Sequence, residues 1–145
     1  MEYRIRKLRV SEIRLLRTFL YEAIYQPSSK GKLPVNVIDT PELYLYIKDW
    51  GKTSDYCLVL EIENIIVGAI WVRILKNGYG YINDTIPEIC MSLLKDFRNQ
   101  GFGSLLIKKM LDDMKLLGYE HISLSVSKDN YAADWYRKLG FKVCK

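Results

Sequence analysis

The alternation of apolar and polar residues divides this chain into strand-like and helix-like segments. Tyr3-Arg4-Ile5-Arg6-Lys7 alternates residue by residue, which predicts a first strand. Ile13, Leu16, Leu20 and Ile24 then recur at helical spacing and predict an amphipathic helix, capped at Ser11 and running to about Tyr25. The segment from Pro27 to Pro34 reads as a loop, and Pro41 falls in the first turn of a second helix, capped by Thr40 and reaching Trp50. Tyr56 to Ile62 and Ile65 to Leu75 form a predicted hairpin around Glu63-Asn64, followed by a turn from Lys76 to Gly80. Pro87 opens a short apolar strand, Ile89 to Leu94. Leu106, Met110, Met114 and Leu117 mark the next helix, with Lys108, Lys109, Asp112 and Lys115 left for solvent. Ile122 to Val126 is a further strand, and a last helical segment starts at Asn130. This order predicts an α/β fold, a mixed sheet with helices on both faces.

The junction between the Ile89 strand and the helix after it carries the first chemical signal. Arg98-Asn99-Gln100-Gly101-Phe102-Gly103-Ser104 is a turn with two glycines placed just before a helix. Unpaired amides and the positive end of the helix dipole favour an anion there. Gly101 and Gly103 lack a Cβ, so a diphosphate can approach the backbone closely. We read the turn as a pyrophosphate cradle, although turns of this form also cap helices that bind nothing.

Composition narrows the class. A chain of 145 residues with 49% hydrophobic content fits one folded domain, residues 1–145, with no repeat. The longest apolar run, Ile65 to Val72, is too short to span a membrane, and no secretory signal follows Met1. Three cysteines, Cys57, Cys90 and Cys144, lack metal-ligand spacing, and the chain holds one histidine, so no metal site is expected. A reducing cytoplasm is the expected location. The net charge of +5 is scattered through solvated faces such as Arg4-Arg6-Lys7-Arg9, which argues against a nucleic-acid or membrane partner.

A second stretch changes the weight of the cradle. Asn130-Tyr131-Ala132-Ala133-Asp134-Trp135-Tyr136-Arg137-Lys138-Leu139-Gly140-Phe141 follows the Ile122 strand. With the cradle, it resembles the GNAT (N-acetyltransferase) superfamily, whose cofactor loop reads R/Q-x-x-G-x-G/A and whose later helix often reads N-x-x-A-x-x-x-Y-x-x-x-G-F. The resemblance is most specific from Pro87 to Phe141. It implies acetyl-CoA as the acyl donor, a primary amine of a small molecule or peptide as acceptor, and direct attack in a ternary complex.

The resemblance also implies site residues. Backbone N–H groups of Gln100, Gly101, Gly103 and Ser104 would hold the pyrophosphate, with Asn99 and Phe102 as further residues of the cofactor loop; the Arg98 side chain is a helper and the Phe102 ring packs beneath. Leu93 offers its N–H to the thioester carbonyl as an oxyanion donor, and Met91 bonds the pantetheine arm in the same way. Tyr136 falls on the family's tyrosine position and would protonate the departing thiolate, or is an aromatic core residue. Asn130 caps its helix, bonds the arm, or both. Glu88 is the leading general base and Asp84 the second choice. Strand parity turns Glu88 away from Ile89, Met91 and Leu93 unless a bulge intervenes.

Tyr21, Tyr25, Tyr44, Tyr46 and Trp50 either line an acceptor cleft or belong to the core, and His121 is read as structural. The family sheet continues past the Gly-Phe pair, whereas Phe141 to Lys145 supplies only the start of a strand. The sheet is therefore shorter at that edge and lacks the last strand, a partner chain completes it as a homodimer, or the chain is cut short. A non-catalytic acyl-CoA-binding or regulatory domain on the same fold is the alternative to the enzyme.

Overall fold

The structure is a computed structural model that describes residues 2–24, 31–127 and 130–144. Four strands, β1 (Tyr3–Lys7), β2 (Tyr56–Ile62), β3 (Ile65–Arg73) and β4 (Glu88–Leu93), form an antiparallel sheet in the order β1-β2-β3-β4. Helices α1 (Leu15–Ala23) and α2 (Pro41–Tyr44) cover one face, and α3 (Phe102–Leu116) and α4 (Ala132–Lys138) the other. This is the expected mixed α/β arrangement.

The β2–β3 hairpin turns where the sequence predicts. Glu63 and Asn64 both take left-handed backbone angles, with φ of 50° and 67°, the geometry that matches the right-handed twist of the flanking strands. Because β2 and β3 are covered on both faces, they read as apolar runs. Leu58, Leu60, Val67, Ile70 and Val72 pack toward α3, while Val59, Ala69 and Trp71 pack toward α1. Trp71 is 1% exposed and its indole N–H donates to the Tyr46 carbonyl at 3.0 Å.

Several elements depart from the sequence reading. Ser11 caps nothing: the chain enters α1 through a 3-10 turn at Val10–Glu12, and the Glu12 carboxylate takes the Arg9 N–H at 2.8 Å. Helix α2 stops at Tyr44 instead of Trp50, and the Thr40 hydroxyl bonds the Val37 carbonyl at 2.9 Å and makes no helix cap. The cause is tertiary. Arg73 takes the Leu45 carbonyl at 2.9 Å and Trp71 takes that of Tyr46, acceptors that a continuing helix would need. Arg73 also forms a two-armed ion pair with Asp55, both side chains 3% exposed, which clamps the chain before β2 against β3.

The Ile122–Val126 strand is reduced to one parallel bridge, Glu88 with Ser123. Phe141 to Cys144 form no strand. Tyr25 and the first half of the predicted Pro27–Pro34 loop lie outside the described residues.

Candidate active site

The cradle forms at the expected junction. Gly101 is the N-cap of α3 with φ of 88°, and Asn99 is also left-handed at 61°, so the turn needs backbone angles that glycine and asparagine tolerate best. Helix geometry leaves the N–H groups of Phe102, Gly103 and Ser104 without intrahelical acceptors. The Phe102 ring is buried in the core, edge-on to Tyr3 with ring centres 6.0 Å apart, so only its backbone faces the turn. A Cβ on Gly103 would lie 3.3 Å from the Trp135 ring, which seats α4 against the start of α3. Gln100 uses its amide nitrogen to bond the Asp96 carbonyl at 2.9 Å. A groove of about 550 Å³ runs from Ser104 along α3, past Lys108 and Leu111, to His121 and Leu139.

The strand before the cradle presents an open edge. Ile89 N–H donates to the Ser123 carbonyl at 2.8 Å, whereas Leu94 N–H donates to Val67 on β3 at 2.8 Å. Strand alternation then turns the N–H and C=O of Ile89, Met91 and Leu93 away from β3. Past the single bridge at Ser123, the amides of Met91 and Leu93 face a gap that ends at the cradle. Their side chains lie on the α3 face, with Trp135, Tyr136 and Phe141.

Tyr136 stands beside that gap. It packs against Phe141, ring centres 5.7 Å apart, and its hydroxyl has no hydrogen-bond partner among the described residues. Burial pushes its pKa above the usual tyrosine value, with a smaller contribution from the Cys90 thiol. The phenol is therefore protonated at neutral pH. Asn130 accepts the Ala132 N–H at 2.9 Å through its side chain and the Ala133 N–H at 3.0 Å through its carbonyl, so it closes the turn that leads into α4, whose N-cap position is Tyr131.

Glu88 lies on the opposite face, and no bulge alters its parity. It is 4% exposed and accepts the Tyr46 hydroxyl at 2.6 Å on Oε2. Tyr46 in turn accepts the Tyr79 N–H at 2.9 Å, and the Ser123 hydroxyl holds the Gly80 carbonyl at 2.7 Å. The Gly78–Tyr79–Gly80 turn thus covers the carboxylate closely: a Cβ on Gly78 would collide with Oε1, and one on Gly80 would lie 3.0 Å from Cδ. Oε1 is the buried side-chain oxygen left without a partner among the described residues. Burial raises the Glu88 pKa, opposed by the Tyr46 hydroxyl and the Gly80 amide. Asp84 is exposed, bonded by the Tyr81 hydroxyl at 2.7 Å, and stands outside this cluster.

The structure therefore gathers Met91, Leu93, the cradle and Tyr136 round one gap, with Glu88 across the strand. Arg98 is placed differently. Its Nε donates to the Leu93 carbonyl at 2.9 Å and a terminal nitrogen to Glu22 at 3.0 Å. The predicted aromatic cleft is mostly core. Tyr46 is buried, Trp50 lies under the Arg73 guanidinium at 5.4 Å, and the Tyr21 hydroxyl bonds the Leu33 carbonyl at 2.6 Å. Sequence reasoning passed over Tyr46 as a partner of Glu88 and Glu22 as a partner of Arg98; neither pairing leaves a local signal.

Comparison with known proteins gives the family and the fold. Over 52 residues the chain is 38% identical to the uncharacterized N-acetyltransferase CgeE of Bacillus subtilis, a match spanning 36% of this chain and 20% of that protein. The PaiA N-acetyltransferase of Thermoplasma acidophilum, solved with coenzyme A, superposes with a TM-score of 0.70 at 20% identity, covering 99% of this chain and 91% of that one. The ribosomal-protein-S18-alanine N-acetyltransferase of Escherichia coli gives 0.70 at 14% identity, over 99% and 80%. These superpositions show the fold. The model of the acetyltransferase (GNAT) family matches residues 19–141, and the chain belongs to that family.

Proposed function

We propose that this protein is an N-acetyltransferase that moves the acetyl group of acetyl-CoA to a primary amine by direct attack. The observation that carries the reading is the open edge of β4, whose Met91 and Leu93 amides lead to the free amides of the cradle. The backbone of Gly101, Phe102, Gly103 and Ser104 holds the diphosphate, where dipole and unpaired N–H groups act together. The pantetheine arm then runs back along β4. It meets Leu93 first and Met91 one strand repeat, about 7 Å, further on. On this order the thioester oxygen falls to Met91 and the arm's amide to Leu93, the reverse of the assignment that the resemblance implies. Either amide stabilises the oxyanion because it is fixed before the reaction begins.

Tyr136 supplies the proton. Its raised pKa keeps the phenol loaded at neutral pH, and its hydroxyl is free to hydrogen-bond the departing sulfur. Glu88 accepts the proton from the acceptor amine, through water or after displacement of the Gly78–Gly80 turn. A covalent acetyl-cysteine route is disfavoured, because burial raises the thiol of Cys57 and pushes that of Cys90 up to about 12. The similar PaiA structure with coenzyme A supports the donor.

The sealed carboxylate of Glu88 favours one competing reading, an acyl-CoA-binding domain without turnover. Calorimetric titration with acetyl-CoA, together with a thiol-release assay over a panel of amines, separates the two. Binding with release establishes the enzyme, binding without release on any amine supports the alternative, and no binding removes both.

A further inference from the structure

The motif arginine stands where a phosphate ligand is expected, yet two of its three guanidinium nitrogens are already engaged. Nε donates to the Leu93 carbonyl and a terminal nitrogen to Glu22 of α1, at 2.9 and 3.0 Å. The Leu93 carbonyl faces the gap, because the next residue, Leu94, gives its N–H to β3. Among the described residues no neighbouring strand satisfies that carbonyl; Arg98 does. In an extended residue the N–H and C=O point to the same side, so holding the carbonyl also holds the Leu93 N–H toward the gap. One residue earlier, the Ser92 hydroxyl donates to the Phe19 carbonyl of α1 at 2.7 Å. Helix α1 thereby grips the last two residues of β4 at the point where the arm would enter.

We infer that Arg98 and Glu22 are positioning residues for the pantetheine arm: they aim the Leu93 amide and do not bind the diphosphate. This rests on the cofactor reading above. It assigns a role to Glu22, which reaches the loop through the Arg98 side chain, and makes the identity of residue 98 matter through geometry. Arginine can span two acceptors with separate nitrogens, whereas lysine offers one nitrogen centre.

Two ligands distinguish aiming from phosphate binding: coenzyme A, and 3′-phospho-ADP, which keeps the phosphates and lacks the arm. Titration calorimetry is run on wild type, Arg98→Gln, Arg98→Lys and Glu22→Ala, with thermal melting to confirm that each is folded. Both Arg98 variants are expected to weaken coenzyme A about tenfold, the scale of one charge-assisted hydrogen bond, and Glu22→Ala about threefold. Affinity for 3′-phospho-ADP is expected to stay within about twofold, since the cradle amides are untouched. Equal losses for the two ligands overturn the inference, as does a lysine variant that binds coenzyme A like wild type. Should Arg98→Gln fail to fold, the lysine variant and Glu22→Ala carry the same comparison. If wild type binds coenzyme A no better than 3′-phospho-ADP, the arm is not gripped and the inference falls while the cradle stands. If wild type binds neither, the cofactor reading falls first.

Discussion

Tyr46 and Glu88 lie 42 residues apart in the chain and meet in a buried hydrogen bond of 2.6 Å. A carboxyl whose pKa is higher folded than unfolded keeps its proton longer in the folded state. Stability is then lost as pH rises from the ordinary value of 4.5 through the raised one. Glu88→Gln removes that loss. The melting temperatures of the two proteins should diverge in favour of the variant across this interval, and parallel curves would show that Glu88 titrates normally.

On the proposed mechanism, the same pair sets the acid limb of turnover. If Glu88 is the base, thiol release rises with pH through its raised pKa. The Tyr46 hydroxyl lowers that pKa, so Tyr46→Phe should move the limb to higher pH, at a stability cost of about 1 kcal/mol for the lost hydrogen bond. A limb that stays in place in folded Tyr46→Phe protein would separate Tyr46 from the base.

Tyr136→Phe is expected to lower turnover by roughly tenfold to 10⁴-fold, the span of general acid catalysis, with little change in affinity for coenzyme A. The ring contacts with Trp135 and Phe141 survive the change, so packing is preserved. Unchanged turnover would leave the phenol a core residue.

Gly101→Ala tests the cradle backbone. With φ of 88°, an alanine there costs about 1–2 kcal/mol in the left-handed region. Urea unfolding should register that loss, and calorimetry should register weaker coenzyme A binding. Destabilisation with unaltered binding would mean that the turn only starts α3.

Asp55→Ala tests the clamp that shapes α2. It leaves the Arg73 guanidinium buried without its carboxylate, a change that costs about 3–5 kcal/mol. Chemical denaturation measures it directly, and a loss below 1 kcal/mol would show that solvent reaches Arg73.

Local chemistry made some features readable in advance. The Glu63-Asn64 turn, the apolar period of α3 and the Gly101 cap depend on neighbours within a few residues. The misreadings have distant causes. Helix α2 ends early because Arg73 and Trp71, from β3, take the Leu45 and Tyr46 carbonyls that a longer helix would need. The Arg98 guanidinium turns to α1 because Glu22 waits 76 residues upstream. Glu88 is sealed by two glycines whose role appears only when the turn folds back on β4. Parity did foresee which face Glu88 occupies, since alternation along a strand needs no tertiary knowledge.

Across the gap, the segment from 122 to 127 is joined, among the described residues, to β4 and the residue before it by two backbone hydrogen bonds, Ile89 to Ser123 and Ser123 to Pro87. β2, by contrast, pairs with β3 from Tyr56 to Ile62, with one irregularity between Leu60 and Glu61. Amide exchange should therefore be slow through β2 and β3 and become fast just beyond Ser123, where opening costs only a fraction of global unfolding. A ligand bridging the two walls would slow exchange on the far one first. The loosest wall of the sheet thus becomes the part that reports whether the gap is filled.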